Sequence, residues 1–336
     1  MKVTDPILLV GGTGAIGTLT AKALRSVYPD VPLLIGGRDL SRSRKAADAL
    51  GGAEGVQIDA LAEDLGLGNH HPRAVAVFYS DDRLASLKFA HGRGIPYLGI
   101  SSGIFEIAPE VATYMLAPAS APIVLGYEWL VGATTIAVMQ AAKSFGRLDE
   151  IRIGALVDDE DKGGPAVQED FERLGRLMPA ALTRRDGAYV WRSGDDAKTA
   201  FAAIDGTKME GIGFSSIDVA GLSAATGAGS VQFDLATGVS SSRRRGDTKS
   251  TEILISLIGI DHDGHALRMR QAVVHPGGAA PLTALGVSMI LERLSGLDGR
   301  APTPPGLYFP FQVIDHTIYL NRLKEEGGEF ISLDPE

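Results

Sequence analysis

The stretch that decides the fold is Ile7-Leu8-Leu9-Val10-Gly11-Gly12-Thr13-Gly14-Ala15-Ile16-Gly17. The apolar run Ile7–Val10 predicts a short buried strand, and the residues from Gly14 to Tyr28 have the apolar spacing of one helix face. The turn between them has the spacing Gly12-x-Gly14-x-x-Gly17, which is typical of strand–turn–helix units that bind the phosphates of a dinucleotide. Because a bare glycine pattern is common, its position between a strand and a helix carries the inference.

Each glycine of this turn has its own physical role. Gly12 permits the tight turn, Gly14 lets the backbone approach a pyrophosphate, and Gly17 lets the helix pack closely on the strand. The N-terminus of the helix adds N–H groups and the positive end of the helix dipole. The predicted cofactor contacts in the turn are Gly11, Gly12, Thr13, Gly14, Ala15, Ile16 and Gly17. The alternative is a purely structural turn, since glycine makes up 42 of the 336 residues.

The identity of the dinucleotide depends on the end of the second predicted strand, where Arg38 lies 21 residues after Gly17. An NAD site usually has Asp or Glu near this position to bind the ribose hydroxyls, whereas a guanidinium suits the 2′-phosphate of NADP. Ser41, Arg42 and Arg44 follow and add further donors. We therefore predict NADP(H) as the cofactor. NAD stays open as the alternative because Asp39 is adjacent, and Arg42 is alternatively a solvated residue on a helix face.

Three further residues follow other predicted strands of the N-terminal half. Asp59 ends the third strand, where a side chain often contacts adenine, and Ser80 and Ser101 follow the fourth and fifth strands. In a doubly wound sheet the ligand lies at the carboxyl ends of the strands. We therefore predict all three as neighbours of the cofactor, with an ordinary loop residue as the alternative in each case.

The first 145 residues alternate short apolar runs with helical patterns. This βαβα alternation predicts an α/β protein with an N-terminal Rossmann domain, whose doubly wound parallel sheet is covered on both faces. From residue 146 onward, strand candidates alternate with turn residues, which predicts a second, α+β domain over residues 146–280. Residues 281–336 are expected to pack back on the first domain.

The second half of the chain contains several more predicted elements. The strand candidates are residues 151–157, 188–192, 213–219, 230–235, 251–260 and 266–274. The helix candidates are Ala166–Leu177, Pro281–Leu294 and His316–Glu325. The mixture of alternating strands and few helices favours a mixed or antiparallel sheet.

The composition excludes several classes of protein. Asp and Glu total 41 against 32 Lys and Arg, and the resulting net charge of −9 argues against a broad nucleic-acid-binding face. The chain has no cysteine, which excludes disulfides, thiolate catalysis and Cys-ligated metal centres. No apolar run has the length of a signal peptide or a membrane span. We expect a cytoplasmic protein that binds neither nucleic acid nor a membrane.

Several motifs occur in a familiar order: the glycine turn, Gly36-Gly37-Arg38, the strand Gly55–Asp59, Gly94-Ile95-Pro96-Tyr97-Leu98 and Gly126–Ala137. Together they resemble the saccharopine dehydrogenase-like family of NAD(P)-dependent oxidoreductases. The resemblance implies a Rossmann domain followed by a substrate-binding and dimerisation domain, and hence a homodimer. It also implies hydride transfer, in the better-known members to imines formed from a keto acid and an amine. Other members act on different substrates, including lipid-like enoyl compounds.

The chain departs from the family pattern in two places. The family often has an acidic residue soon after the tyrosine of the fifth strand and a Gly-Glu shortly afterwards, where this chain has Gly99 and Gly103-Ile104. The family often has Pro-Gly after the sixth strand, where this chain has Val131-Gly132. The missing carboxylates argue against an amino-acid substrate and leave the cofactor prediction unchanged.

The catalytic candidates follow from what hydride transfer leaves to the protein, which is to place the substrate and to exchange a proton with it. Tyr127 follows the sixth strand, and His275 precedes the turn Pro276-Gly277-Gly278. We predict Tyr127 and His275 as catalytic residues, with a simple turn histidine as the alternative for His275. Glu128 follows Tyr127 and is expected to face the same cleft, and Lys208 and Asp158 are weaker candidates.

Two clusters of polar residues are weaker predictors of binding. His262 and His265 flank a predicted hairpin turn, but no third ligand is evident, so no metal site is predicted. The run Arg243-Arg244-Arg245 is either an anion-binding group or a solvated loop. In a strand the three arginines would alternate between faces, so not all of them would reach one ligand.

The sequence thus favours an NADP(H)-dependent oxidoreductase that acts on a small carbonyl, imine or amino compound by hydride transfer. Two alternatives stay open. One is an enoyl or ketone reductase for a bulkier apolar substrate, and the other is a dinucleotide-binding sensor without redox chemistry.

Overall fold

The computed structural model describes residues 5–334 except 165–167, 170–171, 174 and 177–179. The chain divides into two compact units. The first unit comprises Met1–Tyr127 and Thr283–Ile314, and the second comprises Glu128–Leu282 and Asp315–Glu336. Each unit is therefore built from two separate stretches of chain, and each contains one β-sheet.

The first unit has a parallel sheet of seven strands. The strands are β1 (Ile7–Val10), β2 (Leu33–Gly37), β3 (Ala53–Gln57), β4 (Ala74–Val77), β5 (Tyr97–Gly99), β6 (Pro122–Leu125) and β15 (Gly306–Tyr308). Their order in the sheet is β15-β6-β5-β4-β1-β2-β3. All residues of β1, β4 and β6 are buried, as expected of strands covered on both faces.

Helices connect these strands. They are α1 (Ala15–Val27), α2 (Leu40–Leu50), α3 (Ala85–Gly92), α4 (Ala108–Leu116), the larger part of α8 (Ala279–Leu294) and α9 (Pro310–Val313). The start of α2 shows how the sequence sets such boundaries. Asp39 caps this helix, because its carboxylate accepts the N–H groups of Ser41 and Arg42 at 2.9 and 3.2 Å. Gly51 follows the last residue of α2 and ends the helix.

The second unit has a mixed sheet of nine strands. They are β7 (Phe145–Asp158), β8 (Ala181–Arg185), β9 (Ala188–Arg192), β10 (Lys198–Ala202), β11 (Lys208–Gly213), β12 (Ser230–Gly238), β13 (Thr251–Asp261), β14 (Ala266–His275) and β16 (Glu329–Leu333). The long strand β7 lies at its centre, parallel to β12 and antiparallel to β13. The helices of this unit are α5 (Ala133–Ala142), α6 (Asp218–Thr226), α7 (Ser241–Arg244) and α10 (His316–Glu325). Helix α5 packs against α6 and α10.

The α/β class and the doubly wound parallel sheet are confirmed. The strand predicted over residues 213–219 is wrong, because β11 ends at Gly213 and α6 begins at Asp218. The apolar residues of that stretch enter a helix, whose first turn contains Asp218, an acidic residue that favours the positive end of the helix dipole. Strands β8, β10, β15 and β16 were not predicted. Within the helix predicted over Ala166–Leu177, residues 168–169, 172–173 and 175–176 are described and are helical, and the remainder of that prediction lies outside the described residues.

No helix among the described residues is both long and apolar enough to cross a membrane.

The glycine turn is held by a close contact between strand and helix. A Cβ built on Gly17 would lie 2.6 Å from the Gly12 Cα atom, and one built on Gly12 would lie 2.8 Å from the Leu9 carbonyl oxygen. Real Cβ atoms do not approach backbone atoms so closely, so a side chain at either position would push α1 away from β1. The contact explains why these two positions of the motif are glycine.

We predict that Gly17→Ala lowers the free energy of unfolding by about 1–3 kcal/mol, because the added methyl group overpacks a backbone contact that has no room to yield. Urea unfolding of the purified protein measures the change. Gly92→Ala is the matched control, because Gly92 is the last residue of α3 and a Cβ there meets nothing within 4 Å in the described part of the chain. That control is expected to leave stability unchanged or to raise it by up to about 1 kcal/mol. Equal effects of the two substitutions would contradict the packing argument.

Candidate functional site

The carboxyl ends of the parallel strands in the first unit carry most of the predicted site residues. The strand order runs β1-β2-β3 in one direction and β4-β5-β6 in the other, so the chain changes direction between β1 and β4. Open parallel sheets bind ligands outside the carboxyl ends of their strands at such a switch point. The glycine turn directly follows β1 and therefore lies at this point.

Backbone hydrogen bonds hold the glycine turn and leave its outer side open. The Gly11 N–H donates to the Gly36 carbonyl at 2.8 Å, and the Gly14 N–H donates to the Gly11 carbonyl at 3.0 Å. Gly14 is exposed, and in the described part of the chain a Cβ on it would meet the Gly11 carbonyl alone within 4 Å. No side chain among the described residues caps α1. The turn therefore has the open backbone and the N–H groups that a pyrophosphate needs.

Arg38 and Asp39 differ in what their side chains do. Arg38 is exposed, and no carboxylate among the described residues lies within ion-pair distance of its guanidinium. Its positive charge acts on Tyr79, the residue two positions after β4, whose pKa is raised by burial and by Asp81 and lowered by Arg38. Asp39, in contrast, is engaged as the cap of α2, and the hydrogen bonds from Arg42 and Ser41 lower its pKa.

The remaining predicted cofactor neighbours lie at the same edge of the sheet. Ser41 and Arg42 are exposed in the first turn of α2. Asp59 follows β3, and its carboxylate accepts the Leu61 N–H at 2.9 Å. The Ser80 hydroxyl, after β4, donates to Asp82 at 3.0 Å. Ser101 is half-buried after β5. The fold thus brings these residues together, and their contacts with a cofactor stay predictions.

A buried carboxyl that sequence reasoning missed lies beside Tyr127. Glu110 is in the first turn of α4 and is 3% exposed. The Tyr127 hydroxyl donates to Glu110 Oε1 at 2.5 Å, and the Ser102 hydroxyl donates to the same oxygen at 3.4 Å. A glutamate in the first turn of a helix looks like a surface residue in the sequence, so no sequence signal identified it.

The surroundings of Glu110 change its ionisation. Burial raises the pKa of Glu110 to about 7, against the hydrogen bonds from Tyr127 and Ser102, and the negative charges of Asp81 and Glu106 raise it further. Burial also raises the pKa of Tyr127 well above its usual value, so that phenol keeps its proton. A carboxyl that gains and loses its proton near neutral pH is suited to acid–base chemistry.

The turn after β6 has an unusual backbone. Leu130, Val131 and Gly132 have φ values of +52°, +55° and +95°, three consecutive residues in the left-handed region. A β-branched residue such as Val131 rarely adopts this conformation, which costs about 1–3 kcal/mol per residue. Asp218 holds the turn in place by accepting the Trp129 N–H at 2.8 Å. The largest of the three φ values belongs to Gly132, and glycine adopts this conformation without strain.

Glu128 is not a solvent-facing group. It is 3% exposed, and its Oε2 atom accepts the Thr135 hydroxyl at 2.6 Å within the second unit. Lys208 is an exposed residue at the start of β11 that pairs with Glu210 at 2.9 Å. The catalytic roles of Glu128 and Lys208 stay predictions.

His275 ends β14 in the second unit and is 5% exposed. Its Nδ1 atom accepts the Gly277 N–H at 3.0 Å, which leaves the ring proton on Nε2. Burial lowers the pKa of His275, while the Glu326 carbonyl raises it. The ring is therefore neutral at pH 7, and its predicted catalytic role stays a prediction.

The three adjacent arginines have different partners in the second unit. Arg243 donates to Asp158 at 2.6 Å and also pairs with Asp159 and with Glu160. Arg244 pairs with Asp205 at 2.6 Å. Arg245 lines a cleft of about 730 Å³ together with Ser242, Ser250 and Glu252. The run is therefore neither one anion-binding group nor a solvated loop.

The described residues contain one trio with the spacing of metal ligands, formed by Asp261, Asp263 and His265 at the turn between β13 and β14. The Asp261 carboxylate accepts the N–H groups of Asp263 and His265 at 2.9 and 2.8 Å. These bonds close the turn without an ion. The trio is largely exposed, and the prediction of no metal site is unchanged.

No protein-family model and no curated protein sequence matches the chain. Among solved structures, it is similar to apo saccharopine dehydrogenase (L-Glu forming) from Saccharomyces cerevisiae, with a TM-score of 0.63 and 13% identity over 97% of this chain and 100% of that chain. The fold is that of saccharopine dehydrogenase. The resemblance seen in the sequence motifs is thereby confirmed at the level of fold.

A second similar structure is homospermidine synthase from Legionella pneumophila, solved in complex with NAD. Its TM-score is 0.59, with 9% identity over 98% of this chain and 91% of that chain. At these identities the similarity establishes the architecture, and the chemistry of this chain is argued from its own residues.

Asp158 generates a prediction about acid stability. Burial raises the pKa of Asp158, but hydrogen bonds from Ser240, Glu160 and Arg243 outweigh it and lower the pKa to about 2. Because the folded pKa lies below that of the unfolded chain, ionised Asp158 adds about 2 kcal/mol of stability at neutral pH. This contribution is lost as the pH falls from about 4 to about 2.

Urea unfolding at pH 6 and pH 3 measures this effect. Asp158→Asn is expected to be less stable than wild type at pH 6, and the difference narrows by about 1 kcal/mol at pH 3. Asp195→Asn is the control, since the Asp195 side chain is 94% exposed and its pair with Lys198 is at the surface. The same pH dependence in wild type and Asp158→Asn would contradict the assignment of Asp158 as a buried carboxylate.

Proposed function

We propose that the protein is an NADP(H)-dependent oxidoreductase that acts on a small carbonyl, imine or amino compound. The observation that carries this proposal is the open glycine turn at the switch point of the sheet, together with Arg38 after the neighbouring strand β2. Among the described residues, no carboxylate lies within ion-pair distance of Arg38. The turn supplies backbone donors for a pyrophosphate. Arg38 supplies the fork of donors that a 2′-phosphate accepts.

The choice of NADP over NAD is supported by Asp39 as well as by Arg38. An acidic residue at this position in an NAD site would accept hydrogen bonds from the ribose hydroxyls. The Asp39 carboxylate already accepts two backbone N–H groups as the cap of α2. If the Asp39 carboxylate bound a ribose, it would lose hydrogen bonds to the first N–H groups of α2. Arg38 can bind a phosphate without breaking an ion pair to any carboxylate of the described residues.

The strand order indicates which residues at this edge would contact each half of the dinucleotide. Arg38 and Asp59 follow β2 and β3, on the side of the turn that suits the adenosine half of a dinucleotide. Ser101 and Tyr127 follow β5 and β6, on the other side. A bound nicotinamide supplies a hydride with its electron pair. The residues after β5 and β6 would position the substrate and exchange its proton. The homodimer and the cytoplasmic location stay predictions.

We predict that NADPH binds more tightly than NADH and that Arg38→Ala removes the difference. Loss of a charge-assisted contact of about 1.5–3 kcal/mol corresponds to a roughly 10- to 100-fold weaker NADPH affinity, with NADH affinity nearly unchanged. Calorimetric titration of the purified protein with each cofactor measures both constants.

The control is Lys22→Ala, since Lys22 is an exposed cation on α1 that is not a predicted cofactor contact. It is expected to bind both cofactors as the wild type does. Equal affinity of the wild type for NADPH and NADH would contradict the Arg38 assignment and return Asp39 to consideration as a ribose contact. If neither cofactor binds, the oxidoreductase proposal is wrong.

A further inference from the structure

The Tyr127 hydroxyl and the Glu110 carboxyl form a hydrogen-bonded pair in the first unit, at the carboxyl end of the parallel sheet. We propose that Glu110 stores the proton of the reaction and delivers it to the substrate through the hydroxyl of Tyr127. In this arrangement Tyr127 is the catalytic acid and Glu110 is its positioning partner. The inference rests on the proposed function, because it assigns the proton exchange that accompanies hydride transfer at the same site.

The first observation is the fit between the phenol and the strand beneath it. A Cβ built on Gly99 would lie 2.6 Å from the Tyr127 hydroxyl and 3.1 Å from the Tyr97 hydroxyl. Gly99 is the last residue of β5, so its missing side chain lets the Tyr127 hydroxyl lie at the carboxyl end of the sheet. There it donates to Glu110 Oε1 at 2.5 Å. Any larger residue at position 99 would displace the phenol from the carboxyl.

The second observation is the unused oxygen of the carboxyl. Glu110 Oε2 is buried and has no hydrogen-bond partner within the described part of the chain. A buried polar atom left unsatisfied costs about 1–3 kcal/mol, and native structures rarely keep one without a use for it. Glu252 in the second unit, by contrast, has partners for both oxygens, because it accepts from Ser241 and Ile204.

The charges around Glu110 keep its proton exchangeable. The groups that act on it are the Tyr127 phenol after β6, Ser102 after β5, Asp81 after β4 and Glu106 on the segment that leads into α4. No arginine or lysine is among them, and no cation of the described residues lies within ion-pair distance of Glu110. The result is the pKa of about 7 given above, where gain and loss of a proton are equally easy.

The strand order places Tyr127 and Glu110 on the other side of the glycine turn from Arg38. Tyr127 and Glu110 act at the ends of β5 and β6, whereas Arg38 follows β2 on the opposite side of β1. A dinucleotide that extends across the switch point with its 2′-phosphate near Arg38 would place its other end towards β5 and β6. Glu110 would then lie near the ring whose charge changes during the reaction.

The proton balance of a reduction is as follows. The substrate carbon accepts the hydride and its electron pair, and the π electrons of the C=O or C=N bond move to the heteroatom. With substrate bound, the Tyr127 hydroxyl donates to the substrate heteroatom instead of to Glu110, and the protonated Glu110 donates to the phenol oxygen. The heteroatom then takes the hydroxyl proton, and the phenol oxygen takes the proton of Glu110. Glu110 becomes a carboxylate and is reprotonated from water before the next turnover. The oxidation direction reverses each transfer.

The test measures protons without any substrate. The nicotinamide ring is positively charged in NADP⁺ and neutral in NADPH, while the phosphates are the same in both. A positive ring near Glu110 favours its carboxylate, so NADP⁺ binding at pH 7 is expected to release up to about half a proton more than NADPH binding. Calorimetry in two buffers of different ionisation enthalpy gives both proton counts. Subtracting the counts removes the contribution of the phosphate contacts.

Glu110→Gln is expected to bind both cofactors and to lose this difference, whereas Tyr97→Phe keeps it. Glu106→Gln removes a negative charge that raises the pKa of Glu110, so in that variant the pH at which the difference is largest moves downward. Tyr127→Phe removes a hydrogen bond that lowers the pKa of Glu110, so the pH at which the difference is largest moves upward in that variant. This upward movement keeps the inference testable even if Glu110→Gln fails to fold. If Glu110 does not exchange a proton on cofactor binding, Tyr127→Phe would leave the pH dependence of the difference unchanged.

The outcomes separate the two proposals. If neither NADPH nor NADP⁺ binds, the proposed function and this inference both fall. If both cofactors bind without a difference in proton release, or if Glu110→Gln retains the wild-type difference, the inference is overturned and the cofactor proposal stands.

Discussion

The close approach of Gly12 and Gly17 is the constraint on which the first unit depends. It lets α1 start directly above the end of β1, with its first N–H groups facing out of the sheet. The strand order places the start of that helix at the switch point between β1 and β4. Residues that follow the other parallel strands lie at the same edge of the sheet as the glycine turn.

Features decided by neighbouring residues were predictable from the sequence. The glycine turn and the helix His316–Glu325 carry their signals within a few residues, and the structure has them where they were expected. Features decided by distant partners were not predictable. The Tyr127–Glu110 contact joins residues 17 apart, and the Arg243–Asp158 pair joins residues 85 apart. Strands such as β10 and β16 are likewise defined by the strands they pair with, since their own sequences alternate only weakly.

Two buried carboxyls show how surroundings decide the chemistry of one functional group. The Asp158 carboxylate pairs with Arg243 and accepts the backbone N–H groups of Glu160 and Ser240, so it is an anion that contributes to stability. Glu110 has two hydroxyl donors on one oxygen and acidic neighbours, so it keeps a proton that it can release. The first arrangement is typical of a structural ion pair and the second of an acid–base group.

The division of each unit between two stretches of chain has a consequence for synthesis on the ribosome. Strand β15 (Gly306–Tyr308) pairs with β6, which ends at Leu125. The outer edge of β6 therefore waits for its partner while about 180 further residues are translated, which takes roughly 10–40 s at the usual rates of elongation. During that interval a buried, apolar strand presents an open edge, the kind of surface at which nascent chains associate. Chaperones that shield such edges would matter most for this protein before β15 has been made.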